Sequence, residues 1–156
     1  MGELSFPLET ERLVIRPLEP ADAEALHAVW SDPRSERFTH GRNPPASVAE
    51  TRALLEGVWG IFERESGDLV GDCELFEAEG EIELAYGLAR EHWGKGYATE
   101  AGGACVRAAF EQLGLERVVA DIMRGGNARS ERVLEKLGFT PWRETTEKTI
   151  YLLKNP

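Results

Sequence analysis

The sequence predicts an α/β layer fold around one central sheet. Two observations carry this prediction. Strand and helix signals alternate along the chain in the order β, α, α, β, β, β, α, β, α, β, β, and a glycine-bearing loop joins a strand to a helix just after the run of three strands. The length of 156 residues and a hydrophobic fraction of 42% are enough for one well-buried core.

Residues 12–18, with Leu13, Val14 and Ile15, read as a first strand. Pro20 and Asp22 open a helix through Ala23, Leu26 and Trp30. Residues 31–45 are rich in Pro, Asn, Gly and Arg and read as an irregular connection. Ser47 caps a second helix that runs to Leu55, with Glu50 as its capping-box partner. Residues 58–64, 69–77 and 81–89 form a meander whose turns are supplied by Ser66-Gly67-Asp68 and Glu79-Gly80. In its third strand Ile82, Leu84, Tyr86 and Leu88 alternate with other residues, as a half-buried strand requires. A helix then covers 97–113, a buried strand 117–123, and a helix 127–137 that Gly138 stops. Residues 139–144 and 149–153 close a last hairpin.

The formal net charge of -10 argues against a nucleic-acid binder, because phosphate contacts need clustered Lys and Arg. The same charge favours a cationic substrate. Nine of those carboxylates fall between residues 63 and 83, with Arg64 as the one base among them. They read either as a steering field for such a substrate or as a solvated hairpin face. Cys73 and Cys105 lie in no metal-ligand spacing, so no zinc site and no disulfide framework is expected; both are expected to be buried free thiols. No stretch approaches the roughly 18 apolar residues that span a bilayer, and the N-terminus carries no apolar signal segment. The expectation is a cytoplasmic protein of one domain, residues 1–156, with no membrane partner.

The chemistry concentrates between Arg90 and Ala101. Gly94 and Gly96 lack a Cβ, so backbone there can approach a ligand closely. The first turn of the following helix, Tyr97-Ala98-Thr99, presents open N–H groups and a positive dipole end. Together these make a cradle for a pyrophosphate. A P-loop needs Gly at 89 and Ser or Thr at 96, where this chain has Ala89 and Gly96. A dinucleotide fingerprint needs Gly or Ala where Thr99 stands. What remains is a strand–loop–helix that grips coenzyme A.

At these residues the chain resembles the GNAT acetyltransferases. Their coenzyme A signature is Gln or Arg, two residues, Gly, one residue, then Gly or Ala; Gly94 and Gly96 match its glycines, while Glu91 holds the Gln/Arg position. The string Trp93-Gly-Lys-Gly-Tyr-Ala-Thr-Glu-Ala101 resembles the branch that contains the Rim-type ribosomal-protein N-acetyltransferases. The strand Glu83-Leu-Ala-Tyr-Gly-Leu88 and the downstream Asn127-Ala-Arg-Ser-Glu-Arg-Val-Leu-Glu-Lys-Leu-Gly-Phe139 resemble the same branch. The resemblance implies a GNAT fold, with a central mixed, mostly antiparallel sheet of about seven strands flanked by about four helices. It implies acetyl-CoA as cofactor and an amine acceptor, either a protein or peptide N-terminal α-amine or a small cationic amine, attacking directly in a ternary complex. The alternative is a catalytically silent acyl-CoA-binding module. A homodimer through the last strands is compatible with such a fold.

The resemblance also assigns roles. Backbone N–H groups from Tyr86 to Leu88 stabilise the oxyanion, at a bulge that Gly87 permits. Glu83 is the first candidate for the base that deprotonates the amine; the competing reading is a solvated strand residue. The tyrosine that protonates the leaving thiolate in many relatives is matched here by Leu134, and Ser130 takes the place of the acidic serine of the Rim-type branch, or else is a helix-surface residue. Asn127 hydrogen-bonds the pantetheine arm, acts as an N-cap, or does both. Gly94, Lys95, Gly96, Tyr97, Ala98 and Thr99 form the cofactor loop, with Trp93 packing at its entrance; Arg129, Arg132 and Lys136 on the last helix read either as phosphate partners or as solvated helix charges. His40 borders the acceptor site; His27 and His92 have no assigned role, and Glu100 is read only as a first-turn carboxylate that favours the helix dipole.

Overall fold

The computed structural model describes residues 2–33, 43–124 and 127–156. One mixed sheet runs through it, with eight strands among the described residues. They are β1 (Leu8–Glu9), β2 (Leu13–Pro17), β3 (Trp59–Glu63), β4 (Leu69–Ala78), β5 (Glu81–Leu88), β6 (Arg117–Met123), β7 (Thr140–Glu144) and β8 (Lys148–Lys154). Their spatial order is β1-β2-β3-β4-β5-β6-β8-β7. Neighbouring pairs are antiparallel except β5 and β6, which are parallel. The helices are α1 (Ala23–Trp30), α2 (Val48–Arg52), α3 (Tyr97–Glu111) and α4 (Ala128–Leu137).

The architecture matches the expectation of a mixed, mostly antiparallel sheet with four helices, and adds one strand. Residues 8 and 9 pair with Ile15 and Val14 of β2. A two-residue strand shows no period-2 signature, so pattern alone cannot reveal it. The second helix ends at Arg52, three residues short of the expected Leu55. Ser47 Oγ accepts from the Glu50 amide at 3.1 Å as expected of a cap, while the Glu50 carboxylate takes the Ala46 amide at 2.7 Å. Gly138 closes α4 in the left-handed region, at φ 97°.

The sheet separates two apolar layers. Leu13, Ile15, Leu84, Val118, Ala120 and Ile122 pack with α3 and with Leu134 of α4 on one face. Leu26, Val29 and Trp30 of α1 pack with Val58 and Phe62 on the other. Cys73 and Cys105 are free and buried, as expected, with their sulfurs 3.5 Å apart between β4 and α3. The edge strand β7 carries Pro141 and a register shift, two features that blunt edge pairing. Among the described residues no helix is long and apolar enough to cross a membrane.

Helix α3 is tied to the sheet by a carboxylate. Glu100 accepts from the Arg12 amide at 2.9 Å, from Arg12 Nε at 2.8 Å and from the Thr10 hydroxyl at 2.5 Å. Burial works against its charge, yet these three donors hold it below the usual carboxylate range. Glu100 is therefore a clamp between β2 and α3, more than the dipole residue that its position suggests.

Close packing is tightest where β4 meets β5. A Cβ on Gly71 would stand 2.2 Å from the Gly87 carbonyl oxygen. Backbone cannot yield as a flexible side chain does, so Gly71→Ala forces the two strands apart. The expected result is a Tm lower by on the order of 5 °C in a thermal melt. An unchanged Tm would show that the strands have room to spare.

Candidate active site

Two strands part at the centre of the sheet. β5 pairs with β4 along its whole length, and β6 pairs with β8 along its whole length. Between β5 and β6 the described residues form one parallel bridge, Glu83 with Val119. Beyond Glu83 the strands splay. The Ala89 N–H donates to Val70 on β4 at 2.8 Å. By strand alternation the N–H groups of Tyr86 and Leu88 point the other way, into the splay. These are the amides expected to hold an oxyanion. The β4–β5 register runs without interruption through Gly87, so the expected bulge is absent. The divergence of β5 and β6 turns these amides towards the cleft instead.

The chain leaves β5 through a short 3-10 turn, Arg90–His92, and reaches the loop glycines. Gly94 and Gly96 adopt φ of 77° and 83°, values that only glycine takes without strain. Gly96 is the N-cap of α3 and offers no side chain, so nothing of the cap covers the amides of Tyr97, Ala98 and Thr99. Trp93 Nε1 donates to the Leu88 carbonyl at 3.1 Å, which fixes the indole over the end of the strand. The Arg129 guanidinium lies 3.4 Å from the centre of that ring. This stack joins the loop to α4.

A cleft of about 240 Å³ lies between these parts. Tyr86, Leu88, Trp93, Gly94 and Gly96 line one side with the first turn of α3, and Arg129, Ser130, Arg132, Val133 and Lys136 line the other. Uncapped amides, two glycines and three cations on one wall fit the pyrophosphate and phosphates of a coenzyme A. Eleven of the expected cofactor residues are Tyr86, Leu88, Trp93, Gly94, Gly96, Tyr97, Ala98, Thr99, Arg129, Ser130 and Asn127; all but Asn127 line the cleft. Asn127 is the N-cap of α4, accepting from the Ser130 amide at 3.2 Å. The twelfth, Lys95, is turned away. Its Nζ lies 3.4 Å from His92 Nδ1 and 5.8 Å from the centre of the Tyr97 ring. Leu134 is buried, so a tyrosine's place on α4 is filled by core packing.

Tyr97 is anchored as well as placed. Its hydroxyl donates to Glu63 at 2.6 Å, and the Ser66 hydroxyl donates to the same carboxylate at 2.8 Å. Those two donors hold Glu63 below the usual carboxylate range. Glu63 therefore fixes the helix start and takes no part in an acidic face. Of the nine carboxylates between 63 and 83, alternation brings Asp72, Glu74, Glu81 and Glu83 to one face of the sheet.

Glu83 stands on that face, opposite to the cleft and at the apex of the splay. It is half-buried. Burial pushes its carboxyl up to about 7; the neighbouring Asp121 adds to the rise, and Lys148 opposes it. Asp121 and Lys148 escaped the sequence reading. Their only signal was a carboxylate inside an otherwise apolar strand and a lysine at the head of the last one. His40 lies outside the described residues. His27 contacts the Thr51 hydroxyl at 2.9 Å.

Residues 12–140 match the model of the acetyltransferase (GNAT) domain family. The chain belongs to the GNAT acetyltransferases. It is 32% identical over 149 residues to the uncharacterized N-acetyltransferase YoaA of Bacillus subtilis, a match over 86% of this chain and 83% of that one. A GNAT-family acetyltransferase from Bacillus anthracis has the same fold, with a TM-score of 0.84 at 24% identity over 96% of this chain and 98% of that one. The ribosomal-protein-S5-alanine acetyltransferase of Vibrio fischeri superposes with a TM-score of 0.81 at 16% identity, covering 97% of each chain. The chain is thus an N-acetyltransferase, and enzymes of the GNAT family use acetyl-CoA.

The raised carboxyl of Glu83 links pH to stability. A group held by the native state with a higher affinity for its proton stabilises the fold fully below its unfolded value of about 4.3, and loses that contribution as pH rises through about 7. Glu83→Gln removes this loss. The Tm of the variant relative to the wild type is expected to be higher at pH 8 than at pH 5. An equal difference at both pH values would place Glu83 in an environment no different from water.

Proposed function

We propose that this GNAT enzyme acetylates a primary amine, either a protein or peptide N-terminal α-amine in the manner of the Rim-type branch or a small cationic amine, with Glu83 as the general base. The observation that carries the reading is the place and protonation of Glu83. It stands where β5 and β6 part, across the sheet from the cleft, and burial pushes its carboxyl up to about 7. A general base works best when its affinity for the proton lies near the operating pH, so that it is both available and basic enough to take a proton.

Charge on that face supports the same reading. Asp72, Glu74, Glu81, Glu83 and Asp121 outnumber Arg117 and Lys148, and Arg117 pairs with Glu81 while Lys148 pairs with Asp121. An approaching ammonium meets a surplus of negative charge. The Vibrio fischeri fold relative, named as an acetyltransferase of an alanine on ribosomal protein S5, agrees with an α-amine acceptor.

When bound, acetyl-CoA supplies an acetyl group carried as a thioester. The amides of Tyr97, Ala98 and Thr99 would hold its pyrophosphate, and Arg129, Arg132 and Lys136 would meet its phosphates. The N–H groups of Tyr86 and Leu88 face negative charge that develops on the carbonyl oxygen. Glu83 takes the proton of the acceptor amine, and Ser130, on the cleft wall, would orient the sulfur. The reading places one domain, residues 1–156, in the cytoplasm.

A thiol-release assay with acetyl-CoA tests this against peptides with free N-termini, free amino acids, polyamines and aminoglycosides. Release is expected with α-amine acceptors, and Glu83→Gln is expected to lower kcat/KM by about 100-fold or more. Coenzyme A binding without release on any acceptor would contradict the reading.

A further inference from the structure

Glu83 is met by charged groups from three neighbouring strands. On β4 these are Glu74 and, farther along the same face, Asp72. On β6 they are Asp121, two residues beyond the bridge partner Val119, and Arg117, which pairs with Glu81. On β8 the group is Lys148. Alternation sets Val119, Asp121 and Met123 on the face of Glu83, and the β6–β8 register sets Lys148 there beside Met123. Lys148 Nζ then bridges to Asp121 Oδ2. Asp121 thus stands on the face of Glu83 two residues past its bridge partner, and its carboxyl is among the groups that push the Glu83 carboxyl up.

This arrangement has a direction. The ammonium of Lys148 donates only, so it keeps Asp121 an acceptor. Two carboxylates side by side are stable when one of them carries a proton. The hydrogen bond from Lys148 keeps its own ammonium charged, above its ordinary value. The proton between the carboxyls therefore belongs to Glu83, and Asp121 receives the hydrogen bond.

Resting on the reading of Glu83 as base, we propose that Asp121 and Lys148 are positioning residues for the reaction: Asp121 accepts a hydrogen bond from the proton that Glu83 has taken, and Lys148 holds Asp121 in place to do so. In that step an N–H bond of the acceptor ammonium breaks and its electron pair stays on nitrogen. An O–H bond forms on Glu83, and the new hydroxyl donates to Asp121. Lys148 keeps its protons throughout. The acceptor leaves the step as a neutral amine able to attack.

Carbon-13 NMR of the glutamate carboxyls reads this directly, without turnover. The Glu83 resonance is assigned by its loss in Glu83→Gln, and its titration is followed in the wild type, Asp121→Asn, Lys148→Met and Lys148→Arg. The wild-type midpoint is expected at about 7. Asp121→Asn lowers it by about 1 pH unit or more, Lys148→Met raises it, and Lys148→Arg restores it. The acidic limb of kcat/KM moves with the midpoint in each variant. A midpoint that stays in place in both Asp121→Asn and Lys148→Met overturns the proposal and leaves Glu83 as base untouched. A midpoint that moves while Glu83→Gln keeps wild-type kcat/KM removes the base reading instead, and the positioning role with it.

Discussion

The site depends on a break in the sheet. β5 and β6 share one bridge, at Glu83 and Val119, and diverge from there. The break is tolerable because each strand is fully paired on its other side, β5 with β4 and β6 with β8. The divergence turns the cleft-side edge of β5 towards the cleft rather than towards β6. The same divergence lets groups on the two faces of the sheet approach one another. The cofactor cleft lies on the α3 and α4 side, and Glu83 stands on the α1 side at the vertex.

The second constraint is rigidity of the helix start. Gly96 leaves the α3 amides uncapped, which is a cost in the absence of a ligand. Two carboxylates fix the helix in spite of it. Glu100 ties its first turn to Thr10 and Arg12, and Glu63 holds the Tyr97 hydroxyl. Trp93 and Arg129 tie the loop to α4. Binding therefore costs little ordering, since the donors are already in place before a phosphate arrives. Some of the chain's carboxylates are structural anchors, as Glu63 and Glu100 are.

Most of the architecture was legible in the sequence, because its strands alternate and its helices carry caps and stops. Gly94, Gly96 and the first turn of α3 were legible for a stronger reason, since few residue types permit an uncapped helix start with left-handed loop positions. Pattern could not show the two-residue β1, nor that β5 and β6 part; a splay is a relation between strands distant in sequence and leaves no local mark. For that reason the amides of Tyr86 and Leu88 were expected at a bulge and stand at a divergence. Lys95 was expected to face the anion by its place in the loop, but a four-carbon stem reaches either way, and it lies over Tyr97. Asp121 and Lys148 were invisible because their meaning comes from register across β6 and β8.

The central claim is that coenzyme A sits against the splayed edge of β5 and the open end of α3. Amide chemical-shift mapping with nitrogen-15 tests it most directly, by titrating coenzyme A into the labelled protein. The account predicts the largest perturbations at the N–H groups of Tyr86, Leu88, Tyr97, Ala98 and Thr99, with smaller ones along the cleft-facing side of α4. Perturbations that spare β5 and the first turn of α3 while appearing elsewhere would contradict it.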